Sequence, residues 1–224
     1  VKYFNTGLNA VKTNMAGFTR SETAEVLNFN IQDVSLSGIV LGESASSVAE
    51  MIESMIVKES EPEAVQVSIK GENCDNAMSV ETETYVSKLS ADEVLGVKCT
   101  RDIENGTVTI VIALPDTELD NVSQTAMGDV LNSKILQENM NTVIGNVFGT
   151  KAGGDATKKT IKNCVLTATF DTTNGQVLSY VTEYETETYI ANSTMGLNGG
   201  ILSADLRGVE YDTAISVIYS EFQW

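Results

Sequence analysis

The chain has 224 residues, of which 42% are hydrophobic and 20% charged, with only 2 Pro, a composition that excludes a disordered or fibrous chain. Its 14 Lys and Arg against 31 Asp and Glu give a formal charge of −17, and it contains no histidine. The acidic balance argues against nucleic-acid backbones and anionic lipid surfaces as partners. The missing imidazole removes Ser-His-Asp triads, Cys-His pairs and His-ligated zinc.

A chain of this length buries roughly 70% of its unfolded surface, so neither disulfides nor a structural metal is needed to hold it together. No run of about 18 apolar residues predicts a membrane-spanning helix. The start at Val1, without Met, carries the expectation that a leader, lipobox or linker was removed. Cys74, Cys99 and Cys164 are too few, and odd in number, for a disulfide scaffold. Richness in Thr, Ser, Asn and Gly with little Lys resembles extracytoplasmic proteins, so a secreted or cell-surface-anchored location is expected.

The opening segment places Phe4, Leu8, Val11 and Met15 at helical spacing, with Gly17 as a stop. Residues 22–41 mix periods at Val26, Phe29, Ile31 and Val34 and read as extended. Residues 44–58 predict the clearest helix: Val48, Met51, Ile52, Met55 and Ile56 share a face behind a Ser47-x-x-Glu50 capping box. After Pro62 the period changes to two at Val65, Val67 and Ile69, followed by a Lys70-Gly71 turn and a second extended run through residues 81–86.

Between residues 95 and 114, Asn105-Gly106 separates two alternating runs and predicts a two-residue hairpin turn. That turn sets Ile103 opposite Val108, Cys99 opposite Ile112 and Val97 opposite Leu114. A third helix is expected over 134–148, then a glycine-rich loop. Strands follow at 161–170, 176–191, 200–208 and 210–222, with turns at Asn174-Gly175 and Asn198-Gly199. For the first of these hairpins only a three-residue loop, with Gly175 left-handed, keeps the apolar faces together. It sets Phe170 opposite Leu178, Ala168 opposite Tyr180 and Cys164 opposite Tyr184. With these registers no two cysteines are neighbours, and Cys99 and Cys164 are expected as small buried hydrophobes.

The string ETETY occurs at 81–85 and at 185–189, and the same offset carries Lys70-Gly71 onto Asn174-Gly175. The expected fold class is therefore α+β, with an antiparallel sheet or sheets, helices packed on one face, and a duplicated helix-plus-four-strand unit. The expected segments are 1–43 (helix and extended stretch), 44–120 (first unit) and 121–224 (second unit), which also read as one continuous domain.

KYFN, the N-x-V-K turn of the first helix, GFTR and the hairpin FDTTNGQVLSY together resemble a group of uncharacterised extracytoplasmic, lipoprotein-like proteins of Gram-positive anaerobes. The resemblance covers about a fifth of the chain and implies a surface location and an α+β fold, with no catalytic residues to carry over. The layout also looks like half-barrel carrier folds, in which a curved antiparallel sheet cradles helices; this is analogy of fold.

Glu183, Glu185 and Glu187 alternate along one strand and share a face, as do Glu81 and Glu83. Such a stripe has the chemistry to bind Ca²⁺ or a basic partner, or to supply paired carboxylates for glycoside hydrolysis. As structure it is a solvated face that discourages edge pairing, and nothing in the sequence buries one carboxyl to raise its pKa. Asp116, Glu118 and Asp120 alternate like a calcium loop but lack its glycine and distal glutamate. Gly153-Gly154 lacks the rest of a phosphate-loop pattern. Glycosylation patterns at Asn105, Asn121 and Asn192 are assigned no role. The expected function is a non-enzymatic extracytoplasmic binding or structural module. No catalytic, cofactor-binding or metal residues are assigned, no cofactor is expected, and the partner is an unknown cell-surface or small-molecule ligand. The alternative is a carboxylate-dependent polysaccharide hydrolase working without histidine.

Overall fold

The computed structural model describes residues 1–36, 39–40, 47, 50, 51, 54, 65–72, 74, 87–119, 125–130, 157–197 and 202–224. Among them, Lys2–Thr13 form α1, and nine strands follow: β1 (Gly17–Leu36), β2 (Ile39–Val40), β3 (Gln66–Ser68), β4 (Gly96–Asp102), β5 (Thr107–Ala113), β6 (Thr117–Glu118), β7 (Thr157–Asp171), β8 (Val177–Leu197) and β9 (Leu202–Gln223). All pairings are antiparallel, in one sheet ordered β2-β1-β9-β8-β7-β5-β4, with β3 on β1 and β6 on β7.

The expected α+β class is therefore corrected: the described chain is essentially all-β, and α1 is its one continuous helix. Of the helix expected over 44–58, Ser47, Glu50, Met51 and Ser54 are helical, and the rest lies outside the described residues. So do the helix expected at 134–148, the loop with Gly153 and Gly154, and the first ETETY string. The sheet draws strands from all three expected segments, since β1 pairs with β9 and β5 with β7.

The long strands explain the change of class. β1, β8 and β9 run 20, 21 and 22 residues, and at about 3.3 Å per residue each spans about 65–70 Å. β9 was expected as two strands broken near residue 209. It is continuous because, although Gly208 at φ +58 is itself unpaired in both registers, Arg207 and Val209 on either side keep one register with β1 and with β8. A left-handed residue turns adjacent side chains to one side. Ala204, Leu206 and Gly208 are buried on one parity, and Val209, Tyr211 and Thr213 on the other.

The core lies on the inward face. α1 places Phe4, Gly7, Leu8 and Val11 against it because these positions recur at helical spacing. Met15, expected on the same stripe, instead lies beyond the helix with φ +47 and is exposed. Phe4 meets Tyr180 edge-on at 6.0 Å, Tyr180 stacks on Tyr219 at 5.4 Å, and Phe18 meets Tyr219 at 5.6 Å. Asn5 and Asn9, one turn apart, fasten α1 to residues 87–89. Their amides donate to the Leu89 and Ser87 carbonyls at 2.9 and 3.0 Å, and the Ser87 N–H donates to Asn9 Oδ1 at 2.7 Å.

The two hairpins behave differently. Gly175 is left-handed at φ +75 and Ala168 pairs with Tyr180 as expected, but the loop has four residues, Thr172–Gly175, rather than three. The Asp171 N–H donates to the Gln176 carbonyl and the Gly175 N–H to the Asp171 carbonyl, each at 2.9 Å. Phe170 pairs with Val177 rather than Leu178, and Cys164 sits in a bulge beside Asn163 at φ +52. At the other hairpin the turn is four residues, Ile103–Gly106, and Asp102 pairs with Thr107, so Cys99 lies opposite Ile110 and Val97 opposite Ile112. The Asp102 side chain closes this wider loop, accepting from the Asn105 N–H at 3.0 Å and the Asn105 amide at 2.7 Å. The shift of two residues keeps every side chain on its expected face. It does not bury Cys99, because all seven residues of β4 are exposed.

Candidate functional site

On β8 the even-numbered residues from Tyr180 to Ile190 point inward and are buried, which turns Glu183, Glu185 and Glu187 outward together. The flanking strands extend the acidic stripe into a patch. Glu187 pairs with Asp212 of β9, Tyr189 with Glu210, and Ala214, beside Glu185, with Glu25 of β1.

Most of these carboxylates are engaged by their own neighbours. Lys162 reaches Glu187 at 2.5 Å, Asn163 donates to Glu185 at 2.8 Å, Asn28 to Asp212 at 3.1 Å and Asn30 to Glu210 at 3.4 Å. The hydrogen bond to Glu187 holds the Lys162 ammonium above its ordinary pKa. Asp212 is pushed up, chiefly by partial burial; Asn28 opposes this, and the charges of Glu187 and Glu210 add to it.

Two open grooves cross the patch. One, of about 320 Å³, is lined by residues including Thr23, Glu25, Asn163, Glu183 and Glu185. The other, of about 340 Å³, is lined by residues including Asn28, Lys158, Glu187, Glu210 and Asp212. Glu187 and Asp212 stand at cross-strand spacing of about 5 Å, near the separation of a retaining glycosidase pair. Both nevertheless rise from one sheet face, whereas that chemistry flanks the glycosidic bond with its two carboxyl groups.

The inward face carries a polar cluster that the mixed periodicity of residues 22–41 concealed. Arg20 and Glu22, two residues apart on β1, point inward and pair with each other. Burial opposes the Arg20 charge, but Tyr219 and Glu22, by charge and by accepting hydrogen bonds from the guanidinium, hold its pKa raised. Burial likewise pushes the Tyr184 hydroxyl up. Thr186 and Thr213 bond each other at 2.6 Å, while the hydroxyl oxygens of Thr182, Thr188 and Ser193 are buried without a hydrogen-bond partner among the described residues. The readable signal was the R-x-E spacing, which puts both charges on one face of a strand.

The remaining sequence candidates do not converge. Asp116 accepts from the Asn163 N–H at 3.3 Å, Glu118 is exposed, and Asp120 lies outside the described residues. Glu81, Glu83 and Asn121 also lie outside them. Asn105 belongs to the β4–β5 turn, and Asn192 is exposed opposite Arg207. Among the described residues no cluster of three metal-ligating side chains occurs, and no helix is long and apolar enough to cross a membrane. Comparison with protein-family models, with curated proteins and with solved structures finds no match to the chain.

Proposed function

We propose that the protein is a non-enzymatic extracytoplasmic module whose role is structural display or binding at a cell surface. The observation that carries this reading is the outward face of the long strands: its carboxylates are held by Lys162, Asn163, Asn28 and Asn30 of the same face. Such a face is finished as a solvated surface. Asp212 is partly buried beside Glu187, but both rise from the same sheet face and so do not flank a bond between them as glycoside hydrolysis requires. A stiff sheet about 65–70 Å long suits a spacer or platform, and the Thr- and Asn-rich, His-free composition suits a location outside the cytoplasm.

Labelling of intact producing cells with a membrane-impermeant amine reagent tests the location: the chain should be labelled without lysis. Incubation with peptidoglycan and soluble glucans tests the absence of catalysis and should generate no new reducing ends. Reducing ends released by the native protein but not by Glu187→Gln or Asp212→Asn would replace this reading with a hydrolase.

A further inference from the structure

The end of the sheet opposite β2 is formed by β4, and its hydrogen-bonding pattern shows what it offers. The Leu114 N–H donates to the Cys164 carbonyl of β7 at 2.9 Å, so even-numbered residues of β5 turn their backbone groups toward β7 and odd-numbered ones toward β4. With Asp102 opposite Thr107 and Gly96 opposite Ala113, the even residues of β4 bond to β5. The N–H and C=O groups of Val97, Cys99 and Arg101 therefore point away from β5, to an edge that is open among the described residues.

That edge also gathers apolar surface. Ile103 is 86% exposed, Leu95 72% and Val97 47%. From this arrangement we propose that the β4 edge pairs with the β4 edge of a second copy of this chain, antiparallel about a two-fold axis at Cys99. One register satisfies every feature at once. Cys99 faces its own counterpart and Val97 faces Arg101. Leu95, whose N–H is turned inward to the Ala113 carbonyl at 2.9 Å, and Ile103, in the turn, flank the paired stretch at its two ends, so the two most exposed of these apolar residues come together there by side chain alone. Backbone pairing supplies about six hydrogen bonds. On the other side of the ribbon Lys98 lies diagonal to Asp102, a reach that long side chains span.

Charge supports a second copy as the occupant. The chain as a whole carries −17, yet β4 holds Lys98 and Arg101 against Asp102 alone. The edge is thus a stretch on which two acidic molecules meet without acidic side chains opposing each other; Lys98 is diagonal to Asp102 on one side and to its own counterpart on the other. Long-range repulsion between the two acidic bodies remains, and salt screens it.

Sedimentation equilibrium of the whole chain tests this. Dimer should accumulate with concentration through roughly the hundred-micromolar range expected of a small interface, and more readily at 0.5 M than at 0.05 M NaCl. Ile103→Lys, at an exposed turn position, and Cys99→Pro, which removes an outward N–H, should each weaken association at least tenfold. Circular dichroism of Ile103→Lys should match the native chain. Copper–phenanthroline with dioxygen as oxidant should convert the two Cys99 thiols of the dimer to one disulfide, with two protons and two electrons leaving, and Cys99→Ser should give none. A chain monomeric to about 1 mM at both salts would overturn the proposal, as would a dimer that Ile103→Lys leaves unchanged.

Discussion

Gly7 of α1 lies directly beneath the ring of Phe170 on β7. A Cβ at position 7 would stand 2.8 Å from Phe170 Cδ1 and closer still to Cε1. Phe170 is fully buried and also meets Tyr3, one turn before Gly7 on α1, edge-on at 5.2 Å. The missing side chain therefore sets how closely helix and sheet approach. Gly7→Ala gains about 1 kcal/mol of helix propensity and incurs overpacking of about 1–3 kcal/mol. Urea unfolding should show a net loss on the order of 1 kcal/mol, largely recovered in Gly7→Ala/Phe170→Leu relative to Phe170→Leu alone.

Gly208 is another position where a Cβ has no room, and here the backbone conformation forbids it as well. At φ +58 a side chain would stand 2.6 Å from Gln32 Oε1 and 2.9 Å from Gln32 Cβ. Gly208→Ala should destabilise by about 1–3 kcal/mol. Adding Gln32→Ala should recover the steric part and leave the conformational part.

The three thiols should separate by exposure. None is in a disulfide; Cys74 and Cys164 are buried and Cys99 is exposed. Ellman's reagent should titrate one thiol rapidly in the native protein and three in denaturant. Cys99→Ser should abolish the rapid phase. A native count of zero or three would contradict the placement of β4.

Alkaline pH should destabilise the fold through Cys164. Burial pushes its thiol up from 9.0 to about 12, so the folded state keeps a proton that the unfolded state releases. The contribution is intact below about pH 9 and falls as pH rises toward 12, at up to about 1.4 kcal/mol per pH unit. Tyr184, also raised by burial, acts in the same direction at higher pH. Stability measured by urea between pH 8.5 and 10.5 should decline, and Cys164→Ala should flatten the slope even though it lowers the starting value.

The acidic face should tolerate neutralisation. Replacing Glu183, Glu185 and Glu187 together with Gln relieves repulsion around Asp212 and gives up the half-exposed pair with Lys162. Exposed pairs contribute little, so stability should stay level or rise by no more than about 1 kcal/mol. Millimolar Ca²⁺ should shift the native Tm no more than NaCl at equal ionic strength. A calcium-specific shift lost in the triple variant would make the face a cation site.

Much of the local pattern was legible from residues alone. Phe4, Leu8 and Val11 define α1 because helical spacing is a property of neighbours. Alternation placed Glu183, Glu185 and Glu187 on one face, and the need to keep apolar faces together paired Ala168 with Tyr180 and made Gly175 left-handed, although the turn itself has four residues rather than three. These depend on chain geometry over a few residues. What the sequence could not decide was which edges meet and what covers them. Cys99 sits in an alternating strand like Cys164, yet one is exposed and the other buried, because β4 ends the sheet while β7 lies between β5 and β8. The two strands expected at 200–208 and 210–222 are one, with left-handed Gly208 inside it, since Arg207 and Val209 keep their register with both β1 and β8. Asp102 widened a hairpin that Asn105-Gly106 alone would have made tight. In each case the outcome depended on long-range pairing partners, whose contacts outweigh the preferences of a short stretch of chain.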